Sequence, residues 1–195
     1  MLSPFSRKKS FPSNPALRIL LLTNSLILMA VAMVAPIYAL LVSRIGGDLL
    51  DASLTGSVFA VVAGMTLLVS GQYADKKKAR RRIVILGYCL IGIAFLLYTV
   101  VSNIWWLLLV QVLIGLGEAI YAPAFDGLYS SHLDDGFESR EWGNWEATHY
   151  FSTAIGALAG GLIVRYIGFN ALFVTMAVFC FGSALYIGRL PKRRV

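Results

Sequence analysis

An all-α membrane fold with six crossings is what this sequence predicts, and three observations carry it. Of the 195 residues, 58% are apolar and only 14% charged, with a mean hydropathy of +0.74; a soluble domain is about a quarter charged. The apolar residues fall into runs long enough to cross ~30 Å of hydrocarbon, which takes about 20 helical residues. The basic residues are spread unevenly over the connections between those runs. This composition excludes a disordered chain, a nucleic-acid-binding tail and most soluble enzymes.

The runs, in order, define the elements. Ile19–Ser43 carries no charge and is the first span; Ala52–Ala74, also uncharged, is the second. The stretch Ile83–Gly117 is uncharged for 35 residues, too long for one crossing. Ser102-Asn103 divides it, with Trp105-Trp106 beyond as an interfacial aromatic pair. Span three is therefore Ile83–Val101 and span four Ile104–Tyr129. Span five is Glu146–Val164 and span six Ala171–Gly188. Residues 1–18 read as a basic lead-in with Pro4, Pro12 and Pro15, residues 19–188 as the transmembrane domain, and residues 189–195 as a basic tail. The first span is expected to be retained as a membrane helix, since its apolar run continues well past the small residues near Ala30–Ala32.

Orientation follows from Lys and Arg. With the N-terminus in the cytoplasm, fifteen of the seventeen basic residues lie inside, six of them between spans two and three; Arg44 and Arg165 are the two outside. Both termini are then cytoplasmic, in a multi-pass protein of the inner membrane. The net charge of +7 is thereby a topology and anionic-lipid signal, with no nucleic-acid partner required. Cys89 and Cys180 lie inside apolar runs and give neither a metal nor a disulfide framework. No cofactor is expected. Three spans followed by three more place the second triplet inverted relative to the first, an arrangement common in transporters.

The most specific local signal is Gly71-Gln72-Tyr73-Ala74-Asp75-Lys76-Lys77-Lys78-Ala79-Arg80. It resembles the signature G-x-L-A-D-[RK]-x-G-R-[RK] between helices two and three of the major facilitator superfamily. Gly71, Ala74, Asp75, Lys76 and Arg80 fall on matching positions; Tyr73, Lys78 and Ala79 depart from it. The resemblance implies that Gly71, Asp75, Lys76 and Arg80 belong to a cytoplasmic gate loop. Span four, with Gly115, Gly117, Ala119 and Pro123, is similar to the family's R-x-x-x-G-x-G-x-A…P pattern, with Gln111 at the Arg position. Span five, Gly156-Ala157-Leu158-Ala159-Gly160-Gly161, is similar to G-P-x-x-G-G with Ala157 for Pro. Small residues at this spacing also form a helix-packing face, so Gly156, Gly160 and Gly161 are assigned to packing. Family members usually carry twelve helices in two halves, and this chain matches the N-terminal six. The resemblance thus implies half of a major facilitator fold that works as a homodimer or with a separate C-terminal-half chain, in a lipid bilayer, on a small-molecule solute.

Ionisable groups at membrane depth are costly and mark function by default. Glu118 lies 13 residues from Trp105 and 11 from Tyr129, so ~20 and ~16 Å from the two ends at the helical rise. Gln111, Gly115, Glu118, Ala122, Phe125 and Tyr129 share one face and are expected to line a water-filled cavity. Asp126 lies two turns beyond Glu118; Asn24 and Tyr38 in span one are further path-facing candidates. Glu146 and His149 are spaced to touch, and the acidic stretch around Arg140 reads as a solvated loop that Trp142 and Trp145 anchor at the interface.

Other classes lack their parts. No G-x-S-x-G supports an intramembrane serine protease, and no G-x-x-x-x-G-K-[ST] supports a self-powered pump. Asn14-Pro15-Ala16 precedes the first span, where an aquaporin half-helix would not be. No enzyme activity is expected. The sequence-level function is solute transport by alternating access; the alternatives are a non-transporting membrane subunit or fragment, or the membrane half of an ATP-driven exporter.

Overall fold

The computed structural model describes residues 14–75 and 79–190. Lys76, one of the expected gate-loop residues, lies outside the described residues, as do most of the lead-in and of the tail. The described chain is helical throughout, with no strand.

Helix α1 is Pro15–Val34. Asn14 caps it, its side chain accepting from Ala16 N, and Pro15 occupies the first turn, where its missing N–H costs nothing. Pro36 ends it. A 3-10 turn over Ala35–Ile37 follows, then the short α2, Tyr38–Arg44; together these make the first crossing. Gly46, at φ +83°, supplies the left-handed turn that leads to α3.

The next helix, α3, is Leu49–Ala74, opened by a capping box in which Asp48 and Asp51 each accept from the other's backbone N–H. Helix α4 is Arg80–Leu97, tightening into a 3-10 turn at Tyr98–Val100. Asn103 caps α5, Ile104–Ser130, which contains Pro123 without breaking. Helix α6 is Glu138–Tyr166 and α7 is Phe169–Ile187, preceded by Gly168 at φ +114°. Six of these stretches are long and apolar enough to cross a membrane.

The fifth crossing starts eight residues earlier than its apolar run. The acidic stretch expected as a solvated loop is partly helix. Glu141 is buried, its carboxylate accepting from Asp134 N at 2.9 Å and its carbonyl from the Tyr129 hydroxyl at 2.6 Å. Those bonds and the packing of Trp142 on Tyr129 hold the first turns of α6 in place.

Helix contacts run in one series, α3 on α5, α5 on α4, α4 on α7, α7 on α1 and α1 on α6. Exchanging the first triplet of crossings with the second maps this series onto itself. The helices of the second triplet begin at Ile104, Glu138 and Phe169, each 89 residues after its counterpart at Pro15, Leu49 and Arg80. Contacts and spacing together identify two inverted three-helix repeats.

Close approach rests on glycine. Gly87 of α4 and Gly117 of α5 face each other, and a Cβ on Gly87 would lie 2.7 Å from Gly117 O. Gly156 and Gly160 of α6 lie against the Met29 and Met33 carbonyls of α1. Membrane helices gain little from apolar burial against lipid, so such backbone contact carries their association. Gly161 is turned about 100° further round the helix and meets nothing within 4 Å in this six-helix unit.

The first and last described residues lie at one end of the bundle, called here the Arg80 end. Asn14 Nδ2 donates to His132 O at 2.9 Å, and Arg81 Nη1 donates to Leu190 O at 3.0 Å. The turns at Gly46, Ser102 and Gly168 form the opposite, Gly46 end.

Candidate functional site

Helix α5 organises the site. Gly115 turns one side of it to α3, where an added Cβ would lie 2.9 Å from Phe59 O, and Gly117 turns another to α4. Between these contacts lies the face that carries Gln111, Glu118, Ala122 and Tyr129.

At its Gly46 end the face is closed by hydrogen bonds. The Gln111 amide donates to the Tyr38 hydroxyl at 2.5 Å, and Tyr38 donates to Thr55 Oγ1 at 2.7 Å. Thr55 in turn donates to the carbonyls of Asp51 and Ala52, both at 2.9 Å. Every hydroxyl proton in this series is used, and α5, α2 and α3 are joined by it. Gln111 and Thr55 are buried and Tyr38 is partly buried. Two of the expected path residues, Gln111 and Tyr38, are thus brought together, with Thr55 as a partner that hydropathy could not single out.

At its Arg80 end the same face is closed by rings. Phe125 and Tyr129 are fully buried, and ring contacts continue from Tyr129 to Trp142, Trp145, His149 and Tyr150 at centroid distances of 5.1–5.8 Å. His149 lies in this series, with Glu146 exposed beside it. The Trp145 indole N–H is buried with no hydrogen-bond partner among the described residues. The face is therefore not one continuous open lining. Gln111 at one end and Phe125 and Tyr129 at the other are buried, and Glu118 and Ala122, both only partly buried, lie between them. The 3–4 spacing of Trp142, Trp145 and His149 was the sequence signal for the ring series.

Asp126 is exposed, one turn beyond Ala122 toward the Arg80 end. Asn24 is buried in α1, next to Thr23, whose carbonyl accepts from Ser183 of α7 at 3.0 Å. Neither Asn24 nor Asp126 is part of the Gln111–Tyr38–Thr55 series.

The gate-loop residues separate. Arg80 reaches across two helix ends, its Nε donating to Ala74 O and its Nη1 to Gly127 O, both at 2.7 Å. A guanidinium there meets carbonyls at the C-terminal ends of α3 and α5, where positive charge is favoured. Asp75 is the exposed C-cap residue of α3, and Gly71, one turn earlier, faces open space.

The family described as Major Facilitator Superfamily matches this chain over residues 20–195. The chain is 25% identical over 188 residues to a multidrug resistance protein MdtG of Erwinia billingiae, covering 93% of this chain and 45% of the relative. It is 26% identical over 187 residues to the same-named protein of Salmonella typhimurium, covering 93% and 46%. It is 28% identical over 109 residues to a proton-coupled antiporter flippase LtaA of Staphylococcus epidermidis, covering 52% and 28%. The chain spans a little under half the length of the first of these relatives.

Proposed function

The chain belongs to the Major Facilitator Superfamily, and from that premise we propose that it carries a small amphipathic solute across a membrane by alternating access, as one of two six-helix units that enclose the path. The observation that carries this reading is the position of Glu118. A carboxylate at the middle of α5 is partly buried between a hydrogen-bonded closure and an aromatic one. Ionisable groups at that depth mark pathways and relays. Opening one closure at a time would present Glu118 to one side and then the other. Because Gln111 stands where the family pattern has Arg, Glu118 takes the proton-coupling role, with Asp126 at the mouth of the path and Asn24 behind it. Asp75, Lys76 and Arg80 form the latch at the cytoplasmic end. A multidrug resistance protein and a flippase among the relatives support the amphipathic class of solute.

The second unit is a second copy of this chain or a separate six-helix half, and both termini face the cytoplasm across the inner membrane. Helices α3 and α6, the two ends of the contact series, leave most of their surface open in this unit, which supports a partner against them.

The test is transport by the purified chain in proteoliposomes. A pH gradient should drive movement of an amphipathic fluorescent dye, and the chain should run as a dimer in mild detergent. A monomer that moves the dye would defeat the paired-unit part. A dimer that moves neither this dye nor any of a panel of amphipathic solutes would favour a non-transporting membrane subunit.

A further inference from the structure

Charge is shared unevenly among the helices. All ten carboxylates of the chain fall within residues 48–75 and 118–146, and residues 76–117 and 147–195 contain none. The carboxylates therefore sit on α3, α5, α6 and the turns that flank them. Helices α4 and α7 carry none, and at the Arg80 end they present Arg81 and Arg82 from the first turn of α4 and Arg189 just past α7.

These two helices run antiparallel and pack on each other. Arg81 Nη1 donates to Leu190 O at 3.0 Å, which sets the first turn of α4 against the end of α7, where Leu190 is buried. The residues next to that pair, Arg82 and Arg189, are exposed. The Arg189 guanidinium lies over the Tyr186 ring, 5.7 Å from its centroid. One turn deeper, Leu86 of α4 and Leu185 of α7 are exposed, and Ile93 and Val178 continue the two rows. The seam thus has guanidinium groups at its rim and apolar side chains below them. In the contact series α4 and α7 are the middle pair. A partner against α3 and α6 leaves this seam facing lipid.

A phosphodiester above acyl chains matches that order of chemistry, and a guanidinium fork suits phosphate oxygens. Basic side chains at a membrane surface attract net negative headgroups, and no carboxylate on either helix competes for these two. We propose that the α4–α7 seam at the Arg80 end holds the headgroup of an anionic phospholipid, with Arg82 and Arg189 as its cations and Leu86 and Leu185 beside the acyl chains. Helix α4 closes the first repeat and α7 the second, so a phosphate held between the two arginines ties the ends of the two repeats together. The proposal requires only that the chain spans a membrane and stands apart from the transport reading.

The test is native mass spectrometry of the full chain, delipidated in mild detergent and titrated with dioleoyl phosphatidylglycerol or dioleoyl phosphatidylcholine. Each variant is first checked for helical content and a single elution peak. The parent should bind the anionic lipid more tightly than the zwitterionic one, by about fivefold for each arginine engaged. Arg82→Ala with Arg189→Ala should erase that preference, and Arg82→Lys with Arg189→Lys, which keeps the charge, should retain part of it. Arg44→Ala with Arg165→Ala removes the same charge from the Gly46 end and should leave the preference intact. Equal binding of the two lipids by the parent overturns the proposal, as does a preference that survives in the Arg82, Arg189 alanine pair. An equal loss from the Arg44, Arg165 pair would make the effect one of net charge and overturn the site. Displacement of phosphatidylglycerol by millimolar inorganic phosphate would make the seam a free-anion site and overturn the lipid assignment.

Discussion

The Ser70 hydroxyl of α3 donates to Ala119 O of α5 at 2.6 Å, on the carbonyl that Pro123 deprives of its helical partner. This bond is buried, joins residues 49 apart in sequence, and lies in the crossing that stays helical past its proline, whereas the first crossing is interrupted at Ala35–Ile37. Losing a hydrogen bond to a buried carbonyl costs about 1–3 kcal/mol. Ser70→Ala should therefore lower the thermal midpoint in detergent and increase hydrogen exchange at residues 119–123, while Ser70→Thr should retain most of both. Unaltered exchange in Ser70→Ala would mean that packing alone keeps α5 continuous.

Glu118→Gln retains the shape of the side chain and removes its titration. In proteoliposomes it should abolish movement driven by a pH gradient and leave exchange of solute down its own gradient intact. A variant that transports with the parent's pH dependence makes Glu118 a structural residue.

Arg80 supplies two charge-assisted bonds to the ends of α3 and α5. Because the side chain is only partly buried, Arg80→Ala should cost about 1–3 kcal/mol, toward the lower end. Arg80→Lys should recover less than half of that, since an ammonium cannot span both carbonyls as the planar fork does. Equal stability of the Ala and Lys variants would also fit the fork argument; full rescue by Lys would contradict it.

Gly160 and Gly161 are neighbours with opposite surroundings. Gly160 lies against the Met33 backbone of α1, and Gly161 meets nothing within this unit. Gly160→Val should force α1 and α6 apart and destabilise the fold by about 1–3 kcal/mol or more. Gly161→Val should leave the thermal midpoint of the six-helix unit unchanged. Similar losses from both would place a partner helix over Gly161.

The charge distribution gives a topology prediction. Cysteines at Ser10 and Lys192 should resist a membrane-impermeant thiol reagent in intact cells, while Ser102→Cys should react. Labelling of the first two from outside would reverse the orientation.

Six crossings, their order, and the division of Ile83–Gly117 at Ser102-Asn103 were legible in the sequence, because a span is a local property of about 20 successive residues. The placing of Gln111, Glu118 and Tyr129 on one face of one helix was legible for the same reason, since they repeat at helical spacing. The start of α6 was not, because Glu141 becomes a helical residue through bonds to Asp134 and Tyr129 that no hydropathy window contains. Nor was the sealing of the α5 face, which depends on Tyr38 and Thr55 arriving from two other helices. The sequence by itself determined that the chain lies in a membrane and how often it crosses, since lipid selects for apolar runs one segment at a time. Only the tertiary structure decided which proline interrupts its helix and which does not, since a hydroxyl from a neighbouring helix reaches the carbonyl that Pro123 leaves behind.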